Sequence, residues 1–133
     1  MYEYVDQNSE HFKGLEEIGK EMVVEILQMI PGNFTKYTQE IRQALETNDY
    51  NTISRGVHSI KSDFRLLINI SNPVIVFFQD FETRSKAKKD ELENKGRIAE
   101  YIDFNDDYKK LLDLGRPALR EIIRFTEEYA KTI

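Results

Sequence analysis

The chain has 133 residues, of which 40% are hydrophobic and 32% are charged, and its formal net charge is −5. These values fit a single domain over residues 1–133 and exclude a disordered chain, while the longest apolar run, Val74–Phe78, falls far short of the roughly 18 residues of a membrane span. The acidic balance argues against nucleic-acid binding, and the absence of cysteine excludes disulfides and thiolate metal sites. Because no signal-peptide pattern is present either, we predict a cytoplasmic protein.

The N-terminal third predicts a short helix followed by a long one. Apolar residues recur at helical spacing nearly everywhere in the chain, with no sustained period of two. The short helix is predicted around Asn8 to Leu15. The long one follows an apolar register that crosses Pro31-Gly32 without a break: Ile18, Met22, Ile26, Ile30, Phe34, Tyr37, Ile41 and Leu45. Because proline removes one helical hydrogen bond and crowds the preceding turn, we predict one kinked helix in preference to two.

Turn-forming residues mark the next two helices. Asn tolerates a left-handed C-terminal position and Asp is a good N-cap, so Asn48-Asp49 predicts a helix from Tyr50 to about Ile68. A second turn ends in Pro73, which favours the first helical position and predicts a helix to about Glu93. The charged end of this helix, from Lys86 onward, is most simply a solvated surface.

The C-terminal third predicts one further long helix. Arg97 to Phe104 is interpreted as a short helical piece, and the last helix begins near Asn105 or Asp106. Its apolar seam crosses Arg116-Pro117, where a second kink is expected. Four long amphipathic helices joined by short turns predict an all-α fold, an antiparallel up-down four-helix bundle with a short extra N-terminal helix.

The helix that begins at Tyr50 has two distinct faces. Its apolar seam consists of Ile53, Val57, Ile60, Phe64 and Leu67. At about 100° per residue, polar residues cluster on another face roughly 130° away: Ser54, Arg55, His58, Lys61, Ser62 and Arg65. The pattern therefore places His58 on the solvent side, beside the core.

This polar face suits a histidine that carries a phosphoryl group. Imidazole is a competent nucleophile near neutral pH, and Lys61, one turn along, is placed to neutralise phosphoryl oxygens. Ser62 is small, so it leaves clearance for a partner and offers a hydrogen bond. Arg55 and Arg65 extend the positive field, although the simpler interpretation of both is solvated surface. A lone surface histidine usually has no function, so the prediction depends on the combination.

The motif His58-Ser59-Ile60-Lys61-Ser62 resembles the histidine phosphotransfer (HPt) family of two-component phosphorelays. It follows an Asp-aromatic pair, Asp49-Tyr50, that opens the helix, and the resemblance extends over about Met22 to Leu67. It implies an antiparallel four-helix bundle, phosphorylation of His58 on Nε2, reversible exchange with a receiver-domain aspartate, and a helper role for Lys61. The chain departs from the family at Ser62, where many members have glycine, and at Asp63, which adds negative charge at the rim of the site.

The resemblance also implies the partners. They would be response-regulator receiver domains and a sensor histidine kinase, bound partly through an apolar patch near His58. Mg²⁺ is expected on the receiver, so no cofactor or metal is expected on this chain, and the protein is expected to be a monomer. In such bundles a polar side chain of the next helix often orients the imidazole, and Gln79 and Arg84 are the candidates. We expect partner contacts at Ser54, Arg55, Arg65, Gln79 and Arg84.

Two other functions are compared with the phosphocarrier. The chain has no Gly-rich loop for ATP phosphates, so it is expected to receive its phosphoryl group rather than to act as an enzyme. The alternative is an adaptor bundle that binds a receiver or another signalling partner without being phosphorylated. A metal-binding bundle requires Glu-x-x-His pairs, and here Arg55 and Asn8 stand three residues before the two histidines.

Overall fold

The computed structural model describes residues 1–133 and is all-α, as predicted. The five helices are α1 (Glu10–Glu16), α2 (Lys20–Thr47), α3 (Tyr50–Phe64), α4 (Pro73–Lys95) and α5 (Asn105–Ala130). The only extended pairing is a single antiparallel bridge between Val5 and Ile68. None of the helices combines the length and the apolar character needed to cross a membrane.

The two internal prolines lie within continuous helices. Pro31 is inside α2 and Pro117 is inside α5, so the prediction of one helix across Pro31 is confirmed. The predicted apolar register is wrong at its start, because Ile18 and Met22 are about half exposed. Ile18 precedes α2, and the helix instead turns Val23, Val24 and Leu27 into the core.

The predicted caps are confirmed at both ends of the α2–α3 turn and at the start of α4. Asn48 adopts the left-handed conformation (φ 52°) that ends α2. The Asp49 side chain accepts a hydrogen bond from the Thr52 backbone N–H at 3.2 Å and so begins α3. The Asn72 side chain accepts from the Val74 backbone N–H at 3.0 Å in front of Pro73.

Two predicted helical segments are not helical. α3 ends at Phe64, and residues 65–68 form a turn in which Ile68 pairs with Val5. Residues 97–104 form an irregular connection instead of a short helix. This connection is fixed by side chains: the Tyr50 hydroxyl both donates to and accepts from the backbone of Ile102 at 3.1 Å, and Phe104 is buried. Aromatic burial has replaced local helix formation there.

The four long helices enclose one hydrophobic core. α3 packs on α2 and α4, and α5 packs on α2 and α4, while α1 lies against α2. α2 and α3 are packed tightly at Gly56, where an added Cβ would lie 2.7 Å from Ile41 Cγ1. Fully buried aromatic rings, including Phe64, Phe78 and Phe81, fill the centre. These contacts hold the middle of α3 beside the middle of α4.

The N-terminal segment before α1 is held against α5 by one buried carboxylate. Glu121 is 8% exposed and accepts hydrogen bonds from the backbone N–H groups of Glu3, Tyr4 and Val5 at 2.7–3.1 Å. The Asp6 backbone N–H donates to the Leu67 carbonyl at 2.6 Å. The segment therefore links α5 to the turn that follows α3.

Candidate functional site

His58 lies in the middle of α3 with 58% of its side chain exposed, so its predicted position on the solvent side is confirmed. The neighbouring helix supplies the contact that fixes the ring. His58 Nδ1 lies 3.0 Å from Oε2 of Glu82 on α4. Nε2, the other ring nitrogen, makes no hydrogen bond within the protein and is free to meet a partner.

Lys61 does not share the exposure of His58. Its side chain is 8% exposed, so the prediction that it lies on the solvent face is wrong. Its Nζ donates a hydrogen bond to Gln79 Oε1 at 2.7 Å and forms an ion pair with Glu82 Oε1 at 2.6 Å. The second contact is an ion pair by distance rather than a well-directed hydrogen bond. Lys61 is enclosed because α4 covers that side of α3.

Glu82 connects the two motif residues and was not anticipated from the sequence. One carboxylate oxygen meets His58 and the other meets Lys61, and the side chain is only 16% exposed. Burial acts to raise the pKa of Glu82, but its close contacts with Lys61 and His58 outweigh this effect, so the pKa lies below its ordinary value. The carboxylate is therefore ionised at neutral pH.

An ionised carboxylate decides which ring nitrogen of His58 carries the proton. A carboxylate can only accept hydrogen bonds, so the Nδ1 of His58 must be the donor to Glu82. In the neutral ring Nε2 then holds the lone pair, and the carboxylate partner fixes both the tautomer and the orientation of the imidazole. The arrangement can present a nucleophilic nitrogen to solvent.

His58 forms part of the wall of an open pocket of about 320 Å³. Three basic side chains line it: Arg55 from α3, and Lys86 and Lys89 from α4. Lys86 is exposed, as expected for the charged end of α4, and Lys89 is partly exposed; what the sequence did not indicate is that both line this pocket. They belong to the part of α4 that runs alongside α3, one and two turns beyond Glu82.

The two serines of the predicted polar face differ in exposure. Ser62 is exposed, as expected. Ser54 is 6% exposed and its hydroxyl donates to the Asn51 carbonyl at 3.0 Å, so its predicted place on the solvent face is wrong. Ser54 lines the floor of the pocket with its hydroxyl already engaged. It is placed to shape the pocket rather than to bind a partner strongly.

Arg65, Gln79 and Arg84 have other contacts than those expected. Arg65 Nη2 lies 3.0 Å from His11 Nε2 on α1. Gln79 contacts Lys61 and not the imidazole. Arg84 forms two hydrogen bonds with Asp107 on α5, at 2.6 and 3.1 Å, so neither candidate for orienting His58 does so. The orienting residue is Glu82, and only the relative placement of α3 and α4 reveals it.

Apolar side chains are exposed next to the site. In the apolar run at the start of α4, Val76 is 53% exposed, while Phe77 and Phe78 are buried. Ile70, in the α3–α4 turn, is 62% exposed. Ile70 and Val76 line a pocket of about 150 Å³ whose wall also includes Lys61. An apolar patch thus lies beside the residues of the motif.

Comparisons with protein-family models, with curated proteins and with solved structures gave no match. No group of three or more His, Asp or Glu side chains is arranged to hold a metal ion. The geometry around His58 is therefore what bears on function.

Proposed function

We propose that this protein is a phosphohistidine carrier of a two-component phosphorelay. His58 Nε2 would accept a phosphoryl group from the aspartate of one receiver domain and pass it on to the aspartate of another. The observation that carries this proposal is the exposed imidazole whose Nδ1 is held by the Glu82 carboxylate, which directs the free Nε2 to solvent. The protein would have no ATP site of its own and would be a transfer intermediate rather than an enzyme.

The arrangement of helices supports this proposal at the level of the fold. We infer that α2, α3, α4 and α5 form an antiparallel up-down four-helix bundle, with α1 as the short extra helix. Each of the four long helices contacts two of the others, as a closed bundle requires. A bundle of this kind gives His58 a rigid helix-borne position that a partner can approach from outside.

The transfer of the phosphoryl group to His58 requires no further reacting group from this chain. The Nε2 lone pair attacks phosphorus of the aspartyl phosphate, an N–P bond forms, and the P–O bond to the aspartate carboxylate breaks. Because Nδ1 keeps its proton, the ring becomes positively charged, and the Glu82 carboxylate at 3.0 Å stabilises that charge. The reverse step releases the neutral ring. Mg²⁺ would be supplied by the receiver.

Lys61 takes a different role from the one that the motif implies. Its ammonium group is enclosed by Gln79 and Glu82, so it is placed to position the carboxylate rather than to touch the phosphoryl group. Lys61 is therefore a positioning residue in this proposal. It holds the Glu82 side chain in the orientation in which the carboxylate contacts the imidazole.

The apolar patch supports a receiver domain as the partner. Ile70 and Val76 are more than half exposed beside Lys61, and apolar side chains ringed by polar ones are typical of protein contact surfaces. A receiver bound there would have its aspartate close to His58. We further propose a cytoplasmic monomer that takes phosphoryl groups from a receiver linked to a sensor histidine kinase and does not bind nucleic acid.

The proposal is tested by incubating the protein with a receiver domain phosphorylated on aspartate. The expected result is label that is lost in acid, stable in alkali, and absent from His58→Gln. His11→Gln is the matched control, because it removes the other histidine, and it should be labelled normally. Label that persists in His58→Gln would reject His58 as the acceptor.

A non-phosphorylated adaptor is the second candidate, and the burial of Lys61 favours it, because the motif lysine is not exposed to a phosphoryl group. The two functions predict different behaviour of His58→Ala. An adaptor lacking the imidazole should still bind its receiver and still signal, whereas a carrier should bind and fail to pass the phosphoryl group on. Binding by calorimetry, together with transfer between two receivers, separates them.

A further inference from the structure

The pocket beside His58 contains more positive charge than the motif accounts for. Arg55, Lys86 and Lys89 line it, and Glu82 is the only acidic residue in its wall. The charge of Glu82 is already balanced by Lys61 at 2.6 Å. An excess of positive charge therefore lies in the pocket beside the imidazole, in a protein whose net charge is −5.

Two of the three basic residues have no counter-ion. Lys89 lies 3.7 Å from Glu93, whereas neither Arg55 nor Lys86 has a carboxylate within 4.0 Å. Arg55 is one turn before His58 on α3, and Lys86 is one turn after Glu82 on α4. The two free cations thus approach the same pocket from two different helices.

We propose that Arg55 and Lys86 form an oxyanion subsite that holds the phosphoryl group during its transfer to and storage on His58 Nε2, in the place that the motif gives to Lys61. This inference rests on the proposed phosphocarrier function. A phosphoryl group on Nε2 would enter the pocket with three oxygens, which a guanidinium and an ammonium group can bind by charge-assisted hydrogen bonds. Lys61 keeps Glu82 in place beneath the ring, so the two sets of cations have separate tasks.

The direct test uses phosphoramidate, a small phosphodonor that needs no partner protein. The rate of His58 phosphorylation is followed by ³¹P NMR in wild type, in Arg55→Gln/Lys86→Gln and in Lys109→Gln. Lys109, exposed on α5, does not line the pocket and controls for the loss of one positive charge elsewhere on the surface. The double variant should be phosphorylated at least about tenfold more slowly, because the loss of even one charge-assisted hydrogen bond corresponds to about that factor. Lys109→Gln should match wild type.

A binding measurement separates failure of this inference from failure of the carrier function. Inorganic phosphate is titrated into each protein, and the His58 ring signals are followed by NMR. Weaker phosphate binding in the double variant than in Lys109→Gln is expected even when no group is transferred. Equal phosphorylation rates and equal phosphate binding in the two variants would overturn the subsite and leave His58 as the carrier, whereas wild type that is not phosphorylated at all would count against the carrier function itself.

Discussion

Glu82 is the residue on which the local order of the site most depends, because one largely buried carboxylate serves both His58 and Lys61. Glu82→Ala would leave the ammonium group of Lys61 enclosed with only Gln79 as a partner. Since an enclosed charge that loses its counter-ion is costly, we expect the free energy of unfolding to fall by about 2 kcal/mol. Urea denaturation measures it.

The control for this prediction is Asp80→Ala, which removes an exposed carboxylate from the same helix and should change stability by less than about 0.5 kcal/mol.

The lowered pKa of Glu82 also makes the stability of the protein depend on pH. A depressed carboxyl pKa stabilises the folded state at neutral pH, and that contribution is lost as the pH falls below 4.5 through the lowered value. The difference between Glu82→Ala and wild type should therefore shrink in acid, and a difference independent of pH would contradict this account.

The pKa of Asp63 is shifted in the opposite direction to that of Glu82. Burial raises its pKa, and the hydrogen bond from Asn33 Nδ2 at 3.3 Å only partly offsets this. Its carboxylate form is thus disfavoured by folding, so the stability that Asp63 contributes is fully present below 3.8 and is lost as the pH rises through the raised value. We expect Asp63→Asn, which can still accept from Asn33, to be more stable than wild type at pH 7. Thermal unfolding at pH 7 and near pH 3 should show this advantage disappearing in acid.

The crossing of α2 and α3 depends on the absence of a side chain at Gly56. Alanine there would bring its Cβ to 2.7 Å from Cγ1 of Ile41, which is fully buried, so the side chain or the helix would have to shift. Although alanine favours helix, we expect Gly56→Ala to lower the free energy of unfolding by about 1–3 kcal/mol through overpacking.

The matched control is Gly32→Ala in α2, where an added Cβ meets nothing within 4 Å. There the helical preference of alanine acts alone, so we expect stabilisation of up to about 1 kcal/mol. Denaturation of the two variants under the same conditions gives opposite signs if the packing argument is correct. Equal effects would mean that helix propensity alone decides both positions.

The sequence predicts elements well where local chemistry determines them. Asn48, Asp49 and Asn72 act within one turn of their own position, so the boundaries that they set follow from residue type. The segment 97–104 was predicted incorrectly because Phe104 is buried by distant helices, and its irregular backbone follows from that burial. Tertiary contacts outweighed local helical preference there.

The sequence predicted the position of His58 but not the contacts that surround it. The position of His58 on the surface of α3 follows from helical periodicity, which is a property of one helix. The contact with Glu82 and the burial of Lys61 depend on how α4 is rotated and shifted against α3, and the length of the intervening turn does not fix either. A glutamate twenty-four positions away from a histidine gives no signal in the sequence.

At the scale of the whole molecule, Glu121 attaches the N-terminal segment to the rest of the protein. Glu121→Ala would remove the acceptor of three backbone N–H groups, those of Glu3, Tyr4 and Val5. Because these donors are partly buried, we expect a loss of about 2–3 kcal/mol and faster hydrogen exchange at the three amides. Glu127→Ala, an exposed glutamate on the same helix, should leave exchange there unchanged. Unaltered protection in Glu121→Ala would show that the other contacts of the segment, such as the Val5–Ile68 bridge and the hydrogen bond from Arg124 to the Met1 carbonyl, are enough to hold it.

The enclosure of Lys61 has a practical consequence for following motion in this protein. Amine-acylating reagents modify a lysine only when its Nζ is reachable, so Lys86, which is exposed, should react promptly while Lys61 stays unmodified. Acylation of Lys61 would require α4 to separate from α3 and release Gln79 and Glu82. The rate at which mass spectrometry detects that adduct would therefore report how often this helix pair opens, without any engineered probe in the chain.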